Sequence, residues 1–175
     1  MSDNLSIHQA RETDIPGILE IYNDAILNTT ALYTYEPFTL PMMQQWFAEK
    51  KAKALPVFVA AAGEGIAGFA SYGPFRPWPA YKYSVEHSIY VHKDQRGKGI
   101  SKILLRTLID HASAGNLHTI VAGIDSQNEV SINLHRQFGF KEMGQIAQVG
   151  YKFGRWLDLV FMQLILENNL QPNEK

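Results

Sequence analysis

Residues 84–104, SVEHSIYVHKDQRGKGISKIL, pass from strand character to helix character through a basic, glycine-rich turn. Val85–Val91 alternates as a strand does and carries a carboxylate and a histidine. From Ser101 onward, Ile103, Leu104, Leu108 and Ala112 recur at helical spacing, and Gly115 follows the expected end at Ala114. Backbone N–H groups of such a turn, with those of the helix start, can cradle an anion, and a phosphate is the physical candidate. Gly97 and Gly99 would let the backbone approach it closely, and Arg96, Lys98 and Lys102 would add attraction. Two familiar phosphate motifs do not fit. A P-loop needs a Gly-Lys-Ser/Thr ending that Gly97-Lys98-Gly99 lacks, and a dinucleotide fingerprint needs a glycine where Lys102 stands. What remains is Arg96-x-x-Gly99-x-Ser101. On spacing alone it reads equally as an anion cradle or as an exposed turn whose glycines serve only geometry.

The rest of the chain narrows the choice. Its 175 residues suffice for one domain with a proper core, and 46% apolar with 19% charged residues indicates a globular protein. A net charge of −1 argues against broad nucleic-acid binding. With no cysteine, disulfides, thiol nucleophiles and thiolate metal sites are excluded, and a reducing cytoplasm is the simplest location. The start, MSDNLSIHQARETD, lacks the features of a signal peptide, and no apolar run is long enough for a membrane span, so a soluble protein is expected. The histidines at 8, 92, 111 and 118 show no metal-binding spacing, and no metal is expected.

Working outward, Leu5–Gln9 reads as a short strand. Thr13 reads as the N-cap of a helix carrying Ile15, Ile18, Leu19, Tyr22 and Ile26. Asn28–Thr39 reads as an aromatic loop. Pro41 to about Ala54 forms a second helix with Trp46 and Phe47 on its apolar side. Val57–Ala62 and Ile66–Tyr72 are strands joined by Gly63-Glu64-Gly65. Gly73–Tyr83, with three prolines, is a loop. Thr119–Ile124, a helix over Val130–Phe138, and strands over Lys141–Val149 and Trp156–Leu166 complete the order, with a polar tail at 168–175. Seven strands and four helices in this order make an α/β domain with a mixed sheet.

Arg96-x-x-Gly99-x-Ser101 resembles the acyl-coenzyme A pyrophosphate loop of the GNAT superfamily of N-acetyltransferases. Ser101 departs from the glycine or alanine usual there but keeps its N–H. Asn128-Glu129-Val130-Ser131-Ile132-Asn133-Leu134-His135 and the Gly139-Phe140 pair resemble the companion segment. GIAGFASYGPFRPW, YSVEHSIYV, VAGIDSQN and VGYKFGRWLDLVFMQL are further similar to the phosphinothricin and methionine sulfoximine N-acetyltransferases. The resemblance implies a single acetyltransferase domain over 1–175. Its mostly antiparallel central sheet of about seven strands, flanked by four helices, would splay at the fourth strand.

It also implies a reaction: acetyl moves from acetyl-coenzyme A to a primary amine, which attacks only when neutral. Glu86 matches the general base. Along Val85–Val91, strict alternation puts Glu86, Ser88 and Tyr90 on one face and Val85, His87, Ile89 and Val91 on the other. His135 stands where a proton donor for the departing thiolate is expected, although a lone helix histidine is as readily structural. The coenzyme would be held by Arg96, Gly97, Lys98, Gly99, Ile100, Ser101 and Lys102, by Asn128 and Ser131, and by the backbone of Ile89, Tyr90 and Val91. The substrate would meet Tyr33, Phe75, Arg76, Pro77 and Trp78, together with Glu86, His87 and Ser88. Arg76 would clasp an α-carboxylate in bidentate fashion. The expected substrates are methionine sulfoximine, methionine sulfone or phosphinothricin, and the expected assembly is a homodimer through Trp156, Phe161 and the 73–83 loop. Alternatives are a peptide or protein amine as substrate, or a coenzyme-A-binding sensor without turnover.

Overall fold

Helical and strand periodicities alternate along the chain, and the computed structural model turns them into eleven regular α and β elements among the described residues. These are β1 (Ser6–Gln9), α1 (Ile15–Asn28), α2 (Leu40–Ala52), β2 (Val57–Ala62), β3 (Gly65–Pro74), β4 (Ser84–Val91), α3 (Ile100–Ala114), β5 (Thr119–Asp125), α4 (Glu129–Gln137), β6 (Lys141–Lys152) and β7 (Arg155–Ile165). The structure describes residues 5–63, 65–167 and 171–174. Glu64 of the expected hairpin turn, and 168–170 and 175 of the expected tail, lie outside them. The strands form one seven-stranded sheet in the order β1-β2-β3-β4-β5-β7-β6. β4 runs parallel to β5, while β1–β2, β2–β3, β5–β7 and β6–β7 are antiparallel. The expected mixed, mostly antiparallel sheet with four helices is therefore present.

The described residues gather into two compact units, one within Met1–Tyr72 and Ser88–Leu108, the other within Gly73–His87 and Ile109–Lys175. In the first, α1 buries a stripe of Ile15, Ile18, Ile21 and Ala25 against Met43 and Phe47 of α2 and against Val57, Val59, Phe69 and Tyr90 of the strands. Each fully buried side chain of this size contributes about 1.5–3 kcal/mol. Thr13 does not cap α1 as expected. A 3-10 turn over Glu12–Asp14 precedes the helix, and the Asp14 carboxylate accepts the Arg11 backbone N–H at 2.8 Å. Asp14 itself then occupies the N-cap position. In α3, Leu104, Leu105, Leu108 and Ala112 are fully buried, whereas Ile103, expected inside, is 40% exposed. A stripe at 104/105/108/112 satisfies the same 3.6 period, and Ile103 falls just off it.

In the second unit, β5 is buried at six of its seven positions, as a central strand should be. β6 is the edge strand and almost wholly exposed. It runs past the expected Val149 to Lys152 because register shifts at Glu142/Gly144 and Ile146/Gly150 absorb residues that would otherwise end pairing. Such bulges also guard an open edge against further strand addition. The β6–β7 hairpin turns on Phe153 (φ 51°) and Gly154 (φ 74°), the two positive φ values that a tight two-residue hairpin needs. Near the chain end, the Asn173 backbone N–H donates to the Tyr83 hydroxyl at 3.1 Å, and Lys82 Nζ donates to Asn173 Oδ1 at 3.1 Å.

Candidate active site

β4 carries the residue expected to act as base. Val85, His87 and Tyr90 are its buried residues, a spacing of two and then three, while Glu86 is half-buried and Ser88 exposed. Tyr90 is the buried aromatic of the strand. It faces the first unit's core, 5.1 Å from the Phe69 ring and 5.6 Å from Tyr22.

The parallel ladder between β4 and β5 spans Ser84–Glu86 against Thr119–Val121, although β5 runs on to Asp125. Glu86 is thus the last paired residue of β4 in that ladder. Its Oε1 lies 3.1 Å from where a Cβ on Gly123 would be, so Gly123 leaves the space the carboxyl fills. Sequence reasoning missed Gly123, and the signal was there: a glycine inside an otherwise buried strand marks a close approach. Burial pushes the Glu86 pKa above its ordinary value, and the nearby Arg76 charge opposes part of that rise. A carboxylate so placed is a stronger base than a solvated one.

The segment after β3 brings the substrate candidates close to Glu86 in sequence and charge. Phe75 N–H donates to Ser84 carbonyl at 3.1 Å, closing the loop back on the start of β4. The Arg76 guanidinium lies 4.2 Å over the Phe75 ring, and its Nη1 donates to the Phe75 carbonyl at 2.9 Å. Stacking pre-orients the guanidinium while leaving it exposed. Pro77 and Trp78 are exposed, and Tyr81 packs edge-on to Phe75 at 5.8 Å and against Trp78 at 6.3 Å. Tyr33 lies in the first unit, on the connection between α1 and α2, 37% exposed.

His87 and His135, forty-eight residues apart, form a buried stacked pair with ring centroids 5.0 Å apart and Nε2 to Nε2 at 3.0 Å. Phe140 packs edge-on against both rings. His135 Nδ1 lies 2.6 Å from the Ser131 carbonyl oxygen, so Nδ1 carries the proton and Nε2 accepts. His87 must then donate from Nε2, which leaves its buried Nδ1 as an acceptor with no partner among the described residues. Burial, with His135 beside it, pushes the His87 pKa down to about 3, and burial lowers that of His135 as well. Both rings are neutral near pH 7. With one nitrogen on Ser131 and the other on His87, His135 holds no proton to spare for a leaving group in this arrangement. The sequence could not show the pair, because contact order hides a partner so distant.

Asn128 caps α4: its Oδ1 accepts the Ser131 N–H at 3.1 Å. The turn leading to it is fixed by Asp125, whose carboxylate accepts the Gln127 N–H at 3.2 Å and pairs with Arg155. Neither Asp125 nor Arg155 was singled out by the sequence.

In the first unit, Gly97 (φ 78°) and Gly99 (φ 79°) adopt left-handed backbone, and a Cβ at either would meet nothing within 4 Å. The turn therefore presents its backbone to open space. Lys102 and Ile103 N–H groups donate to the Gly99 carbonyl, so α3 starts there with the Ile100 and Ser101 N–H groups in its first turn. Ile100 is buried and anchors the helix start, Ser101 is half-buried, and Lys98 and Lys102 are exposed. Ile89 and Val91 are half-buried, and the β3–β4 neighbourhood continues through the His92 N–H to the Ala67 carbonyl at 2.9 Å.

A half-buried carboxyl thus lies within the field of an exposed guanidinium, and an open glycine turn starts a helix. Residues 18–140 match the acetyltransferase (GNAT) family, and the chain belongs to that family. It is 52% identical to the L-methionine sulfoximine/L-methionine sulfone acetyltransferase of Pseudomonas paraeruginosa over 164 residues, covering 93% of this chain and 95% of the relative. Among solved structures, it is similar to an N-acetyltransferase from Staphylococcus aureus, with TM-score 0.93, 51% identity, and coverage of 94% of this chain and 99% of that one. It is also similar to a phosphinothricin acetyltransferase from Sinorhizobium meliloti in complex with acetyl-coenzyme A, with TM-score 0.91, 35% identity, and coverage of 96% and 92%. The expected family and fold are both borne out.

Proposed function

We propose that this protein transfers acetyl from acetyl-coenzyme A to the amino group of a small amino-acid analogue such as methionine sulfoximine, methionine sulfone or phosphinothricin. The observation that carries the reading is Glu86, half-buried with a raised pKa, beside Gly123 and within the field of Arg76. An ammonium group has no lone pair, so Glu86 removes its proton and the neutral amine attacks the acetyl carbonyl. The C–N bond forms, the C–S bond breaks, and the proton shed by the attacking nitrogen passes to the departing sulfur, so coenzyme A leaves as the thiol. Arg76 pairs with the α-carboxylate of the amine substrate, held ready by the Phe75 ring. Acetyl-coenzyme A, as co-substrate, supplies the activated acetyl thioester. The open, left-handed backbone at Gly97 and Gly99 fits its diphosphate, with Ile100 and Ser101 N–H groups, Lys98 and Lys102 in support. Asn128, Ser131 and the backbone of Ile89, Tyr90 and Val91 complete the proposed coenzyme contacts. His87 and His135 support α4 as a neutral pair; the acid role expected of His135 is not part of the proposal.

The small zwitterion is favoured over a peptide amine by the short loop that Pro77 and Pro79 stiffen around Arg76. We further propose that one such domain works as a homodimer in the cytoplasm. Support comes from exposed Met143, Ile146, Val149, Tyr151, Phe153 and Trp156 on β6, β7 and their turn, and from a cysteine-free sequence suited to a reducing compartment. Phe161, also expected at that interface, is only half-exposed, and no described helix is long and apolar enough to cross a membrane. The test is thiol release from acetyl-coenzyme A with a panel of these amines and of N-terminal peptides. Saturable turnover with the free amino-acid analogues is expected. Turnover confined to peptides, or coenzyme binding without any thiol release, would replace the reading by one of its alternatives.

A further inference from the structure

The glycine turn is tied to α1 by two side-chain bridges one helical turn apart. Arg96 Nη2 donates to Asp24 Oδ2 at 3.0 Å, and Arg96 Nε reaches the Val91 carbonyl at 3.4 Å. The other Asp24 oxygen accepts from Asn28 Nδ2 at 2.9 Å, so the carboxylate is held from both sides. His92 Nδ1 accepts the Asp94 N–H at 3.3 Å, which leaves its Nε2 to donate to Glu20 Oε1 at 3.3 Å. All of these residues belong to the first compact unit. Glu20 and Asp24 stand four apart on α1, as His92 and Arg96 stand four apart along the connection, so the two bridges share one helix face.

We propose that Glu20 and Asp24 are positioning residues for coenzyme binding, and that Arg96 is a strut to α1 rather than a ligand of the diphosphate. This rests on the coenzyme reading of the turn given above. Gly97 and Gly99 supply the left-handed backbone the cradle needs, but glycine is also the residue with most conformational freedom to lose. A turn built on two of them binds well only if its ends are held, since pre-organisation removes an ordering cost from binding. The bridges hold the upstream end, and Ile100, the buried first residue of α3, holds the downstream end. Two carboxylates near a diphosphate would repel it if unmatched; here each faces a partner. Anion binding is left to the backbone N–H groups and to exposed Lys98 and Lys102.

Calorimetric titration of coenzyme A into wild type, Asp24→Asn, Arg96→Gln and the double variant tests this, with thermal melting to confirm that each is folded. Asp24→Asn and Arg96→Gln should each weaken binding about two- to fivefold, as expected for exposed ion pairs. The double variant should bind no worse than Arg96→Gln alone, because both changes remove one bridge. The loss should appear in KM for acetyl-coenzyme A and not in KM for the amine, and Asp24→Glu should restore part of it. Unchanged or tighter binding by Asp24→Asn overturns the proposal, and so does a further full loss when Arg96→Gln is added to Asp24→Asn. Wild type that binds no coenzyme A overturns the coenzyme reading itself, and the strut with it.

Discussion

Burial, more than any neighbouring charge, sets the basicity of Glu86, and the same residue's position at the end of the β4–β5 ladder leaves its carboxyl beside the space at Gly123. Arg76 works in the opposite sense on that carboxyl, and its guanidinium, stacked on Phe75, is the group proposed to pair with the carboxylate of the substrate. Replacing Arg76 by alanine should raise KM for carboxylate-bearing amines about ten- to hundredfold, the range of a lost charge-assisted contact. Steady-state kinetics with the amine and with its decarboxylated analogue would check this; the analogue should be indifferent to the change. An equal loss for both substrates would mean that Arg76 supports the loop and not the carboxylate.

At the level of elements, β4 and α4 meet through the neutral His87–His135 pair, and this contact carries a pH dependence whose sign is fixed. A histidine whose pKa falls on folding stabilises the fold fully above its unfolded value of 6.5. That stability is lost as pH falls from 6.5 toward about 3. At pH 5 the loss from His87 amounts to about 2 kcal/mol, since each unit of difference is worth about 1.4 kcal/mol. Urea denaturation between pH 7 and pH 5 should show this fall in wild type. His87→Gln, which keeps an N–H donor for His135 but does not titrate, should flatten it. A wild-type stability that is level across this range would mean that the pair accommodates a proton without breaking.

At the scale of the whole molecule, the order of strands and helices was legible because nearly every element carries its own local period. The boundaries moved where a residue of one type did another's work. Asp14 and not Thr13 stands at the start of α1, Leu105 replaces Ile103 on the inner face of α3, and bulges carry β6 past Val149. The glycine turn was legible for the same local reason, since Gly97 and Gly99 take φ values that other residues avoid. What the sequence could not show were contacts between residues far apart along it: His87 with His135, Asp125 with Arg155, Arg96 with Asp24. The exposed apolar row on β6 and β7 belongs to this scale as well. Sedimentation should give twice the chain mass, and Trp156→Glu should shift it to a single copy; a wild type at single mass at every concentration would remove the dimer.

The most direct test of the central claim is the pH profile of kcat/KM for wild type and Glu86→Gln with methionine sulfoximine. A base with a raised pKa predicts that wild-type activity falls as pH drops, along a limb lying above the ordinary carboxylate range. Glu86→Gln should lose about a hundred- to ten-thousandfold in kcat/KM together with that limb. A glutamine variant that kept both the rate and the limb would contradict the account.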